Sequence, residues 1–121
     1  MAVRNLKKFP DFMMNGKNAV KSDDKSGTMS GYAFDGIDGS QMVIWDCPDG
    51  GASKKHVHDF DEYALIVSGT YTGIENGKEV IYKAGSECYI PAGEWHEGFY
   101  SKGYRAIDAF QKKRVKRVHE N

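Results

Sequence analysis

The chain has 121 residues, 40% of them hydrophobic and 28% charged, with 17 Lys+Arg balanced by 17 Asp+Glu. That length suits one domain and can bury a core without disulfides or metal. The composition excludes wholesale disorder, and the balanced charge argues against a dedicated nucleic-acid binder. No apolar run reaches the ~18 to 20 residues of a membrane span. Arg4, Lys7 and Lys8 are followed by no apolar segment, so the start does not read as a signal peptide. Two cysteines, Cys47 and Cys88, stand 41 residues apart and make neither a disulfide framework nor a zinc knuckle. A reduced, cytoplasmic protein is expected.

Residues 1–27 form a weakly patterned arm, in which Leu6, Phe9, Phe12, Met13 and Met14 are the candidates for packing. The run 21–27, KSDDKSG, reads as a turn-rich loop. From Thr28 onward, short runs rich in Val, Ile, Tyr, Phe and Trp alternate with Gly-containing breaks, the mark of an all-β sandwich or barrel. Strands are predicted at 29–35, 41–47, 54–59, 62–68, 70–75, 79–83, 87–90, 95–100 and 104–111. Asn76-Gly77 between two of them is a hairpin signal, since a type I′ turn needs positive φ at both central residues. The predicted organisation is an arm over 1–27, a β domain over 28–111 and a basic tail over 112–121. The arm could form a short helix, and a helix-period segment of any length is otherwise conceivable only in that tail.

Four histidines occur, and three lie in strand-like segments beside turns: His56, His58 and His96. Residues i and i+2 of a strand share a face about 6.6 Å apart. Two imidazoles so placed can converge on one ion about 2.0 to 2.1 Å from each nitrogen. Glu62 follows four residues later. On spacing alone, a metal site and a set of singly hydrogen-bonded histidines are evenly matched.

The surrounding glycines and proline shift that balance. Gly50, His56, His58, Glu62 and Gly69 stand as G-x5-H-x-H-x3-E-x6-G, and Gly85, Pro91, Gly93 and His96 as G-x5-P-x-G-x2-H. This pattern resembles the two motifs of the cupin superfamily over roughly residues 30 to 111. It departs only where many cupins carry Asn four residues after the second-motif His, a position held here by Tyr100. The resemblance implies an all-β single cupin β-barrel or jelly roll (a double-stranded β-helix) with a metal inside. It also implies His56, His58, Glu62 and His96 as the ligands. Three neutral imidazoles and a carboxylate suit a divalent transition metal (Fe, Mn, Ni, Co, Cu or Zn) without choosing among them. An octahedral ion so held keeps two open positions. Tyr100 lies in phase with His96, so its ring could enter the cavity and orient a substrate or act as an acid. Ordinary aromatic packing is the competing reading.

Further cavity candidates follow from strand parity and neighbourhood. Ala64, Ile66 and Ser68 share the face of Glu62, and Trp45 and Met42 lie on a preceding strand. Core packing is the simpler account of each. Both faces of 62–68 are apolar, so a cover on both sides is expected. The cysteines read as small buried hydrophobes. Lys112, Lys113, Arg114, Lys116 and Arg117 place five charges in six residues, read as a solvated terminal segment. The resulting expectation is a metal-dependent small-molecule enzyme (oxygenase, lyase or isomerase). The alternative is a non-catalytic ligand-binding or sensing protein. A small-molecule ligand, a homodimer, no nucleic acid and no membrane are the expected partnerships. The dimer expectation rests on the resemblance and on an arm with little reason to fold on its own barrel.

Overall fold

The fold is taken from a computed structural model describing residues 6–21, 29–75 and 77–120. The loop expected over 22–27, the 27/28 boundary and Asn76 lie outside these residues. Nine strands form: β1 (Ser30–Asp35), β2 (Gln41–Cys47), β3 (Gly51–His56), β4 (Glu62–Ser68), β5 (Thr70–Glu75), β6 (Lys78–Lys83), β7 (Glu87–Ile90), β8 (His96–Tyr100) and β9 (Tyr104–Phe110). They pair antiparallel in two sheets, ordered β1-β2-β9-β4-β7 and β3-β8-β5-β6. The architecture is an all-β jelly roll. Among the described residues no helix is long and apolar enough to cross a membrane.

Alternation along each strand decides what faces inward. On β9, Tyr104, Ala106, Asp108 and Phe110 are buried on the inner side, while Arg105 points outward. One core cluster joins the two sheets: Cys47, Ala64, Ile66, Cys88, Ile90, Tyr104 and Ala106 meet Tyr71, with Tyr82 and Tyr100 packed against it. A second cluster, Val20, Ala33, Val43, Phe60 and Phe110, closes the other end with Val115 packed on it. Cys47 and Cys88 are both buried, as small hydrophobes would be.

Several expectations are corrected. The strand predicted over 54–59 runs from Gly51 to His56, so His58 lies in the following loop rather than on the pleat. Met42 is 39% exposed, because it has the parity opposite to Trp45 and the two cannot both face inward. Ser68 leaves the face of Glu62 at an irregularity in the β4–β9 register, and its hydroxyl donates to Gly103 O and accepts from Arg105 Nε. The outer face of β4 is only partly covered: Leu65 and Val67 are half-buried, whereas Tyr63 is exposed.

Both appendages fold back on the domain. Phe9 is 4% exposed, with the Arg105 guanidinium 5.0 Å over its ring. Val20 bridges to Arg117 and donates its amide to Gly31 O. The arm thus has a seat on its own sheet, which removes it as a reason to expect a dimer. The tail is neither helical nor simply solvated. Lys21 N donates to Lys116 O and Val118 N to Ala19 O, while Arg117 pairs with Asp35 at 2.9 Å.

Candidate metal centre

The register of β3 on β8 sets His56 directly opposite His96, joining the two motifs across one strand pair. Their ring centroids are 4.0 Å apart. His58 reaches the same point from its loop, 4.8 Å from the His56 ring and 5.1 Å from the His96 ring. Ligand atoms of the three lie within 4.8 Å of one another.

That loop is held by its neighbours rather than by a strand. Gly93 N donates to His58 O at 2.8 Å, so the turn of the second motif fastens the histidine of the first. Asp61 accepts from Ala92 N at 2.9 Å and from the Tyr89 hydroxyl at 2.8 Å. Those bonds, the Ala92 amide foremost, hold its carboxyl below the usual range. Phe60 is buried and stacks on the His58 ring at 4.8 Å. Gly50, with φ of 73°, turns the chain into β3 so closely that a Cβ would meet Tyr100 O at 2.5 Å.

The tautomers follow from carbonyls, which only accept. His56 Nδ1 meets Lys54 O at 2.6 Å and His96 Nδ1 meets Glu94 O at 3.1 Å, so in each ring Nδ1 carries the hydrogen. Both Nε2 lone pairs are therefore left for another partner. Glu62 enters from the opposite sheet. Its Oε1 is 3.3 Å from His58 Nε2 and 3.8 Å from His96 Nε2. These contacts are not hydrogen bonds: all three atoms are buried without a hydrogen-bond partner. Buried polar atoms are normally paired, and three orphans facing one point fit a cation. Donors around a divalent ion at 2.0 to 2.2 Å stand roughly 3 Å apart, near the His58–Glu62 separation. The His triad could thus hold a metal ion, with the Glu62 carboxylate beside it. Burial lowers the His56 pKa ahead of its other influences, favouring the neutral form that ligation needs.

The same cavity is walled by Trp45, Tyr71, Tyr100, Tyr104, Asp108 and Arg114, among others. Tyr100 does enter it, stacked on Tyr104 at 4.8 Å and on Tyr71 at 5.5 Å. Burial pushes the Tyr100 hydroxyl up to about 12 and Cys88 likewise to about 12. Both stay protonated near neutrality.

Asp108 and Arg114 are residues that sequence reasoning missed. Asp108 is buried on β9, opposite Ala64 of β4 and Val43 of β2, where alternation calls for an apolar side chain. Burial first, then the Glu62 charge, raises its pKa well above the ordinary value, against the Arg114 charge and a hydrogen bond from Trp45. An acid in the middle of the apolar run Tyr104–Phe110 was the available signal. Arg114 was grouped with a solvated tail.

A family model described as a cupin domain matches residues 43–102. A search of curated proteins finds no match. Among solved structures, the chain resembles KdgF from Halomonas sp. at TM-score 0.66 and 17% identity, over 76% of this chain and 86% of that one. It resembles an RmlC-like cupin from Shewanella frigidimarina at 0.66 and 19%, over 78% and 86%. Against the polyketide cyclase RemF from Streptomyces resistomycificus the values are 0.64 and 14%, over 100% and 88%. Identities this low speak for the fold alone. With the two sheets, the paired motifs and the family match together, the chain belongs to the cupin superfamily.

Proposed function

We propose that the protein is a metal-dependent enzyme of the lyase or isomerase kind, acting on a small oxygen-bearing molecule by moving a proton. His56, His58, Glu62 and His96 are its proposed ligands for one divalent transition metal per chain. Such an ion, when bound, polarises a substrate oxygen as a Lewis acid. The observation that carries the proton-transfer reading is Asp108, an acid buried in the same cavity as His56 and His96. A carboxyl kept neutral by burial can donate a proton where an ordinary aspartate would already have lost it. Trp45 hydrogen-bonds this carboxyl and orients it. Tyr100, still protonated, is proposed to hold substrate as a hydrogen-bond donor rather than to titrate. The tyrosine faces exclude water from one wall.

The test is solvent deuterium incorporation into a panel of small hydroxy and oxo compounds, followed by NMR with metal-loaded protein, together with oxygen uptake. The reading expects incorporation that chelation abolishes and Asp108→Asn removes, with no oxygen consumed. Oxygen uptake would assign the site to an oxygenase instead. Binding without exchange would assign it to the ligand-binding alternative.

A homodimer is proposed on different grounds from the arm. Trp95, Phe99 and Ile81 are 57%, 55% and 59% exposed on or beside the four-stranded sheet, the kind of apolar surface a second copy would cover. A cytoplasmic location is proposed from the low cysteine count, two in 121 residues.

A further inference from the structure

Residues 114–115, in the segment after β9, are gripped by a buried side chain. Gln41, the first residue of β2, is 1% exposed. Its Oε1 accepts from the amides of Arg114 and Val115, each at 3.0 Å. Its Nε2 donates to Val115 O at 3.1 Å and to Asp35 Oδ1 at 3.0 Å. Both lone pairs and both hydrogens of the amide are therefore used. Asp35 is in turn fixed by Arg117 at 2.9 Å, and Arg117 also donates to Ala33 O at 2.8 Å. A buried amide with every bond satisfied locks a single backbone path for residues 114–115.

That path sets Arg114 at the cavity wall. Its guanidinium carbon lies 5.0 Å over the Phe110 ring, on the strand that carries Asp108. Among the described residues Arg114 makes no close ion pair, unlike Arg117 and Lys113 of the same tail, although its charge acts on the Asp108 carboxyl of the same cavity. Arg114 is also the one arginine or lysine among the described residues lining this cavity. If the proposed metal is bound, three neutral imidazoles, Glu62 and a divalent ion sum to +1, and Arg114 adds a second positive group on the same wall.

Resting on the proposed metal-dependent reading, we infer that Arg114 is a specificity residue for a carboxylate on the substrate and that Gln41 is its positioning residue. One planar guanidinium matches one planar carboxylate through two parallel hydrogen bonds. Phosphate would also pair with a guanidinium, so it is the competing anion that the probes below separate from carboxylate. The stacked tyrosines and Trp45 offer flat apolar walls for the remainder of the molecule.

Benzoate, its neutral isostere benzamide, and phenyl phosphate serve as probes, titrated calorimetrically into zinc-loaded protein. Benzoate is expected to bind about tenfold or more tightly than benzamide, the scale of a charge-assisted hydrogen bond. Arg114→Met and Gln41→Met are each expected to erase that preference, benzoate losing far more affinity than benzamide. Arg114→Lys should restore part of it. Equal weakening of both probes by Gln41→Met would mean a merely structural role and overturn the positioning claim. A preference that survives Arg114→Met overturns the specificity claim, and that variant alters only an exposed side chain. Phenyl phosphate binding more tightly than benzoate would overturn the carboxylate assignment. Zinc content is measured in every sample. A wild-type chain without zinc that still prefers benzoate through Arg114 would sink the metal reading and leave this inference standing.

Discussion

The two sheets contribute to the same cavity in different ways. The five-stranded sheet carries the acids, Glu62 and Asp108, and is backed on its outside by the arm, where Phe9 lies under Arg105. The four-stranded sheet carries His56, His96, Tyr71 and Tyr100, yet leaves Phe99 and Ile81 exposed on its other face. The five-stranded sheet, backed by the arm at Arg105, is the thick wall, with Glu62 and Asp108 buried in it; in the thin wall His96 is buried and His56 half-buried. Depth explains why Asp108 is driven toward its neutral form and why His56, half-buried, is only biased toward the neutral imidazole.

Substitutions in the thick wall should have the larger effects. Phe110→Ala, at a residue 1% exposed between Phe60 and His58, is expected to cost about 3 to 5 kcal/mol in denaturant unfolding. Asp108→Asn should do the reverse for stability while removing turnover. A folded-state pKa raised above the unfolded 3.8 means the native chain binds more protons. Stability is then lost as pH rises from about 4 toward the native value, and stays low above it. In metal-stripped protein the melting temperature of Asp108→Asn should exceed that of wild type at pH 7, with the gap closing toward pH 4. A gap independent of pH would contradict a neutral Asp108.

Effects in the loop and the thin wall should be smaller. Asp61→Ala loosens the His58 loop, so metal affinity should fall about tenfold in a competition titration, in the range for supporting hydrogen bonds around a metal. Metal affinity should also fall as pH drops from about 7 to 5, because bound imidazole must be neutral and free His titrates near ~6.5. Far-UV circular dichroism should hold steady over that range, and a sheet signal lost together with the metal would mean the ion is structural. Smallest of all, Phe99→Ser should shift monomer stability by less than about 0.5 kcal/mol, since the ring is largely in water already. In light scattering, the same change should halve the particle mass if this face joins two copies.

Alternation and glycine spacing made the strands legible, because a period of two and turns needing positive φ leave few alternatives. The glycines at 50, 69, 85 and 93 all have positive φ, which is why the motif spacing carried through to the site. His58 was placed on the wrong kind of element, since nothing local announces that β3 stops at His56. Its position depends on Gly93, over thirty residues away. The role of Gln41 was invisible for the same reason: its partners lie 73 and 74 residues on. Arg114 looked like solvated charge because composition says nothing about which backbone a buried amide will grip. Asp108 was the one missed residue with a local clue, an acid breaking an apolar strand.

The central claim is that His56, His58, Glu62 and His96 share one ion. Elemental analysis of protein purified without chelator, for wild type and His58→Ala side by side, tests it most directly. The account predicts one first-row transition metal per wild-type chain and essentially none in the variant. Equal metal content in the two would contradict it.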